Sequence, residues 1–293
     1  MHKIILYSSY LSIPFLLLVL FLIFRKRKKG EGRKISLSML ILLFIGSMLF
    51  IYSRFIERNL IVKSTTKIKT GFSAKLVVFS DIHLGVYKGS SFLKRIVDKI
   101  NDIKDVDAVL IPGDFTYYPD DLDELFLPLK NIKYPVYAVL GNHDVSRPGP
   151  PIQKELQKVL EKYNVIFLKN TSAIIKSKNI KILGLGDNWD YDDDVSQINK
   201  FKNGDNLIII THNPDTFKKY KNSIADLTIS GHTHGGQVRI PFLYKKMIPC
   251  KYDYDKGLYK EKNGKLFVTS GVGEVGLPLR LFNPPVIDIL ELY

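Results

Sequence analysis

Five of the six histidines in this 293-residue chain follow short apolar runs and lie beside Asp, Asn or Gly, and this placement restricts the fold more than any other feature. The groups are Asp81-Ile82-His83, Gly113-Asp114, Gly141-Asn142-His143-Asp144, Thr211-His212-Asn213 and Gly231-His232-Thr233-His234. The runs ahead of them, Leu76 to Phe79, Ala108 to Ile111, Val136 to Leu140, Leu207 to Ile210 and Leu227 to Ile229, are rich in Val and Ile and read as buried strands. An isolated histidine is ordinarily a hydrogen-bonded surface or core residue. Five of them at strand ends, with two carboxylates and an amide, require a fold that gathers several strand exits at one place.

Further strands are expected at Ile180 to Leu183, Leu266 to Thr269 and Val286 to Leu290. Between the first two runs, Phe92, Leu93, Ile96, Val97, Ile100 and Ile103 form an i, i+3, i+4 stripe, with Ser90 or Ser91 as its expected N-cap. A second helix is expected from Leu156 to Tyr163, and Pro214 suits the first turn of a third. Strands alternating with helices predict an α/β domain whose ligand groups collect at the carboxyl ends of strands.

The residue types suit a pair of divalent cations. Such a pair, roughly 3.5–4 Å apart, activates a water and clamps a phosphoryl group. It needs neutral imidazoles, carboxylates to offset the metal charge, and a bridging oxygen. Asp81 and His83, two apart on an extended strand exit, can turn toward one cation, and Asp114 can bridge. Asn142 offers an amide oxygen, while His143 stays free to move protons. His232 and His234 can reach different cations from one loop. Gly113, Gly141 and Gly231 precede these residues where a sharp backbone turn is expected.

Asp-x-His, Gly-Asp, Gly-Asn-His-Asp, His and Gly-His-x-His, in this order, resemble the calcineurin-like metallophosphoesterase superfamily. The run Gly231-His232-Thr233-His234-Gly235-Gly236-Gln237-Val238-Arg239-Ile240-Pro241 narrows the resemblance to a bacterial, membrane-anchored branch, as does Gly276-Leu277-Pro278-Leu279-Arg280-Leu281-Phe282-Asn283-Pro284-Pro285. The resemblance covers residues 75 to 293. It implies two packed mixed β-sheets flanked by helices, a four-layer α/β fold. It also implies that Asp81, His83, Asp114 and His234 hold one metal and Asp114, Asn142, His212 and His232 a second. His143 would protonate the leaving oxygen or polarise the phosphoryl group, Asp144 would hold its ring, and a metal-held hydroxide would attack phosphorus in line. Manganese, iron, zinc and cobalt all suit such a shell.

Weaker expectations attach to other residues. Arg239 and Arg280 carry planar donors that suit substrate phosphate. Asp190, Asp192, Asp193 and Asp194 lack the glycine and terminal glutamate of an EF-hand and are expected in a solvated loop. Asp187, Asn188 and Trp189 are expected at the cleft rim. The apolar and basic stretch at 241–249 suits either a core-covering loop or a surface resting on lipid.

The first sixty residues differ in character. Ile4 to Phe24 gives 21 uncharged residues and Ile35 to Ser53 gives 19 more, each long enough to cross a bilayer. Two spans, about 4–24 and 35–53, are expected within an anchor over 1–58, followed by a linker at 59–70 and the catalytic domain at 71–293. Residues 1–69 hold 13 basic and 2 acidic side chains of the chain's net +14, so the domain is nearly balanced and no nucleic-acid partner is expected. Seven basic residues in the ten positions from Arg25 to Lys34 favour a cytoplasmic loop, hence a multi-pass membrane protein with an extracytoplasmic domain. Cys250 is the only cysteine, which excludes an intrachain disulfide.

The sequence therefore predicts a membrane-anchored binuclear phosphoesterase acting on a phosphodiester, pyrophosphate or phosphomonoester of a lipid or envelope metabolite, with the bilayer as a partner and no protein partner. A narrower alternative is the UDP-2,3-diacylglucosamine pyrophosphatase activity of some relatives of the same branch. A non-catalytic scaffold is disfavoured, because unpaired buried carboxylates and imidazoles are costly to keep without metal.

Overall fold

A computed structural model of the chain describes residues 1–29, 37–145, 148–220 and 224–293. The last part of the basic loop between the two expected spans, residues 30–36, lies outside the described residues. Helices α1 (His2–Arg25) and α2 (Leu37–Asn59) are both apolar and long enough to cross a membrane.

Two six-stranded sheets follow. The first has the order β1 (Val62–Ile68), β14 (Val286–Leu292), β2 (Ala74–Val78), β4 (Ala108–Pro112), β6 (Val136–Val139), β7 (Val165–Phe167). The second has the order β12 (Gly257–Glu261), β13 (Gly264–Val268), β11 (Leu227–Ser230), β10 (Leu207–Ile210), β9 (Ile180–Gly184), β8 (Thr171–Ile175). A two-stranded ribbon pairs β3 (Leu84–Gly85) with β5 (Thr116–Tyr117). Both large sheets are mixed: β14 runs antiparallel to β2, and β8 and β12 run antiparallel to β9 and β13, while the other pairs are parallel.

Side-chain alternation explains how the sheets stack. Leu76 and Val78 of β2 point into the layer between the sheets and meet Ile182, Ile208, Ile210 and Ile229 there. Val77 and Phe79 point the other way, onto the helical layer. Burial of each such side chain stabilises the fold by roughly 1.5–3 kcal/mol. The helical layer contains α3 (Ser90–Asn101), which buries Phe92, Leu93, Ile96, Val97 and Ile100 along the expected stripe. It also contains α4 (Leu122–Phe126) and, beyond the short α5 (Asn142–Val145), α6 (Gln153–Lys162) with Leu156 and Leu160 inward. The α3 N-cap is Gly89, not Ser90 or Ser91, and makes no side-chain cap bond.

Part of the stretch expected as a linker is instead β1. Its sequence, Val-Lys-Ser-Thr-Thr-Lys-Ile, is polar because it is an edge strand with most side chains in solvent, and its full-length parallel register with β14 supplies what its composition conceals. The acidic loop is also less solvated than expected. Asp193 is buried, accepting hydrogen bonds from Asn188 and Thr216 and pairing with Lys219 at 2.6 Å.

Candidate metal centre

Strands β2, β4, β6, β10 and β11 end together, and the loops leaving them carry the five histidine-bearing or aspartate-bearing groups. Asp81, His83, Asp114 and His234 place one ligand atom each within 4.8 Å of one another, and Asp114, His212 and His232 do the same. All six residues are buried. Asp114 belongs to both clusters. Its Oδ2 lies 3.4 Å from His83 Nε2 and 3.2 Å from His212 Nε2, so a single oxygen stands between the two groups. Asn142 Oδ1 is 3.0 Å from His212 Nε2, at the second cluster.

The imidazoles are turned by bonds on their outer edges. His83 Nδ1 is 3.2 Å from the Thr116 carbonyl, His212 Nδ1 is 2.8 Å from the Pro112 carbonyl, and His232 Nε2 is 3.0 Å from the Pro249 carbonyl. A ring nitrogen that donates to a carbonyl leaves the other nitrogen as a lone pair directed inward. Inward, nitrogen meets nitrogen: His83 Nε2 and His234 Nε2 are 3.1 Å apart, as are His232 Nδ1 and His212 Nε2. Each facing pair brings two ring nitrogens to one place, with Asp114 Oδ2 beside both pairs, and a cation at each place would draw on nitrogen and oxygen together. The donor set thus fits two divalent ions.

Charge follows the same logic. Burial holds the His83 and His232 imidazoles neutral, pushing both down to about 3, and lowers His234 well below the ordinary range. His212 is the exception: burial opposes its charge, but the Asp114, Asp81 and Asp187 carboxylates push it up to about 10. Without metal, one imidazole carries the positive charge that this acidic cluster demands. Burial and Asp114 push Asp81 up to about 7, although the Ser80 hydroxyl donates to it at 2.5 Å and the His232 N–H at 3.0 Å.

The backbone is strained where the ligand atoms sit. Asp81, His83, Asp114, His232 and His234 all have positive φ, between 48° and 69°, a region that non-glycine residues rarely occupy. The glycines beside them differ from expectation. Gly113 does take φ +87°, but Gly141 and Gly231 do not depend on positive φ. They provide room: a Cβ at Gly141 would sit 2.2 Å from Asp114 Oδ1, and one at Gly231 would sit 2.5 Å from Asp81 Oδ2.

His143 lies outside both clusters but beside them. Its ring meets His83 edge-on at 4.7 Å and Tyr117 at 5.6 Å, and its backbone N–H donates to Asp114 Oδ1 at 3.0 Å. Burial lowers its pKa. Asp144 serves a different purpose from the one expected. Its carboxylate accepts the Phe115, Thr116 and Gly141 N–H groups and the Thr116 hydroxyl, at 3.0–3.1 Å, and so pins the Asp114 loop to the Asn142 loop.

Neither arginine is presented to phosphate. Arg280 is wholly buried, and its guanidinium donates to the carbonyls of Gly273, Asn283 and Ser270. Arg239 pairs with Asp255 at 3.0 Å, donates to the Gly235 carbonyl and lies over the Tyr244 ring. Both arginines hold loops that shape the site. Trp189 does sit at the rim as expected, edge-on to His232 at 4.6 Å.

The pattern of the calcineurin-like phosphoesterase family matches residues 74–236, the stretch that supplies every residue of both clusters. The chain belongs to this family. It is a metal-dependent phosphoester hydrolase. Among curated proteins it is 31% identical to the "Uncharacterized metallophosphoesterase YkuE" of Bacillus subtilis, over 82% of this chain and 88% of that one. It is 26% identical to the "Phosphodiesterase YaeI" of Escherichia coli, over 74% of this chain and 82% of that one. It is equally identical to the "UDP-2,3-diacylglucosamine pyrophosphatase LpxG" of Chlamydia muridarum, over 74% of this chain and 83% of that one. Some relatives are longer, and the chain spans 59% of the Campylobacter and Helicobacter proteins it matches.

Two supporting groups escape sequence reasoning. Ser80 is an ordinary serine until its hydroxyl is seen on Asp81. Asn283 lies 49 residues beyond His234, yet its side chain donates to the His234 carbonyl at 2.7 Å. Only the motif around Asn283 hinted at it.

Proposed function

We propose that the protein is a membrane-anchored, binuclear phosphoesterase that hydrolyses a phosphodiester, pyrophosphate or phosphomonoester of a lipid or envelope metabolite. The observation that carries this reading is Asp114 Oδ2 standing between His83 and His212, one oxygen common to two ligand clusters. Asp81, His83, Asp114 and His234 hold one cation, and Asp114, Asn142, His212 and His232 the other. Bound there, the two cations supply an activated water and positive charge for the phosphoryl oxygens. His143, free of both clusters and adjacent to His83, gives a proton to the leaving oxygen. Asp144 and Tyr117 fix the walls around that ring. The domain organisation in this reading is two membrane spans in α1 and α2 and a catalytic domain built on the two sheets, with the dense basic loop after α1 favouring an extracytoplasmic domain.

The likeness to a relative named UDP-2,3-diacylglucosamine pyrophosphatase supports a second reading with that substrate. This second reading predicts turnover of UDP-2,3-diacylglucosamine by the purified chain, and no turnover of it beside turnover of a simple diester would exclude it. The primary test uses the full chain in detergent, stripped of metal and assayed on bis-p-nitrophenyl phosphate with manganese, beside His143→Ala. Manganese-dependent turnover that collapses in the variant is expected. Two bound ions without turnover of any phosphoester would favour a scaffold instead.

A further inference from the structure

The loop after the last histidine motif carries large apolar side chains that the fold leaves uncovered. Phe242 is 94% exposed and Met247 78%, and Ile240 and Leu243 are exposed with them. Leu277 and Phe282, from the adjacent segment, are exposed as well. The two segments are joined: the Arg239 N–H donates to the Leu281 carbonyl at 2.9 Å, and Gln237 donates to the carbonyls of Val275 and Leu277. Lys245, Lys246 and Lys251 stand exposed among these apolar groups. Soluble surfaces rarely leave such a contiguous apolar patch open.

The patch borders both the metal centre and the apolar helices. Pro249, at its end, meets the His232 ring through its carbonyl, and Tyr244 packs over Gly236. On its other side, the Arg280 N–H donates to the Ser53 carbonyl and the Asn283 N–H to Glu57, both on α2. Across the mouth, His2 at the start of α1 is 3.0 Å from the Tyr117 hydroxyl and stacks on Tyr118, and Tyr117 meets His83 edge-on. Arg54 of α2 reaches Ser9 of α1 at 2.8 Å. The ends of both apolar helices therefore border the rim of the site.

Building on the membrane-anchored reading above, we infer that residues 240–247 with Leu277 and Phe282 form a membrane-seating surface. It dips into the leaflet at which α1 begins and α2 ends, and it sets the mouth of the metal centre among lipid headgroups. The phosphoester taken by the site is then the headgroup of a membrane amphiphile that arrives sideways from the leaflet. Continuity with the helices decides for lipid over a second copy of the chain, and the lysines match an anionic surface.

The test uses the full chain with Cys250→Ser, carrying Phe242→Cys labelled with an environment-sensitive nitrobenzoxadiazole. The protein is reconstituted in phosphatidylcholine vesicles containing phosphatidylglycerol. A label at Met247→Cys repeats the measurement, and Ile174→Cys, at the end of the sheet away from the site, is the reference. The labels at 242 and 247 should emit to the blue of the one at 174 and be quenched by lipids brominated on their acyl chains. Water-like emission at both would overturn the surface. In the same vesicles, dodecyl p-nitrophenyl phosphate should show a KM at least about tenfold below that of methyl p-nitrophenyl phosphate, because the longer ester is delivered by the bilayer. Equal KM values with buried labels would overturn the substrate class. If neither ester turns over with metal bound, the diesterase reading fails and takes the substrate class with it, while the labels still judge the surface.

Discussion

The Glu57 carboxylate, near the end of α2, accepts the backbone N–H of Asn283 at 2.5 Å, and Asn283 in turn donates from its side chain to the His234 carbonyl. A residue of the second apolar helix is thus two hydrogen bonds away from a candidate metal ligand. Groups behind a ligand typically alter metal affinity by 10–100-fold. Glu57→Ala is expected to raise the manganese concentration for half-maximal activity by about that factor, with activity recovering at high manganese and substrate KM unchanged. Glu57→Gln, which retains an acceptor, should behave more like the wild type. A manganese titration identical for Glu57→Ala and wild type would break this connection.

His143 and Asp114 should separate chemistry from metal binding. His143→Ala is expected to lower turnover by roughly 10²–10⁴ while two ions remain bound, since its ring belongs to neither cluster. Asp114→Ala removes the shared oxygen and should cost at least one ion along with activity. Metal analysis beside the diester assay reads both, and loss of metal from His143→Ala would contradict the division.

Gly141→Ala tests the need for room. The added methyl would lie 2.2 Å from Asp114 Oδ1, so the carboxylate must move. Turnover and metal content should fall together with the secondary structure intact by circular dichroism. Wild-type activity would mean the loop yields cheaply.

Asp288 of β14 supplies a pH prediction. Burial pushes its carboxyl up to about 7 from an ordinary 3.8. Between those pH values the folded state holds a proton that the unfolded chain has released, so its contribution to stability falls as pH rises through that window. Asp288→Asn should raise the thermal midpoint by a few degrees at pH 8, roughly 2–4 °C, and change it little near pH 4. A midpoint at pH 8 that is unchanged or lower would refute this.

The sequence was most legible where one side chain reports its own environment. The buried strands of β2, β4, β6, β10 and β11 are nearly continuous apolar runs, so they and the groups at their ends could be read directly. Edge strands β1, β8 and β12 could not, because their solvent-facing sides look like loop, and β1 in addition pairs with a strand at the far end of the sequence. The same distinction holds at the site. The identities of the candidate ligands were readable, whereas the positive φ at five of them, the job of Asp144 and the burial of Arg280 depend on how separate loops meet. A guanidinium that suits phosphate on paper suits three carbonyls equally well, and only the packing decides between them.

The strand that follows α2 does not pair with its neighbour in sequence. Strand β14 lies between β1 and β2, so the first sheet closes only after the ribosome has delivered residues 286–292. In the membrane-anchored reading, both helices leave the ribosome and can enter the bilayer long before then. The polar strand behind them waits beside the lipid for a partner made more than 200 residues later. The last act of folding is then a threading event at the membrane surface, and a nascent chain stalled short of β14 would hold its metal ligands on a sheet that cannot yet close.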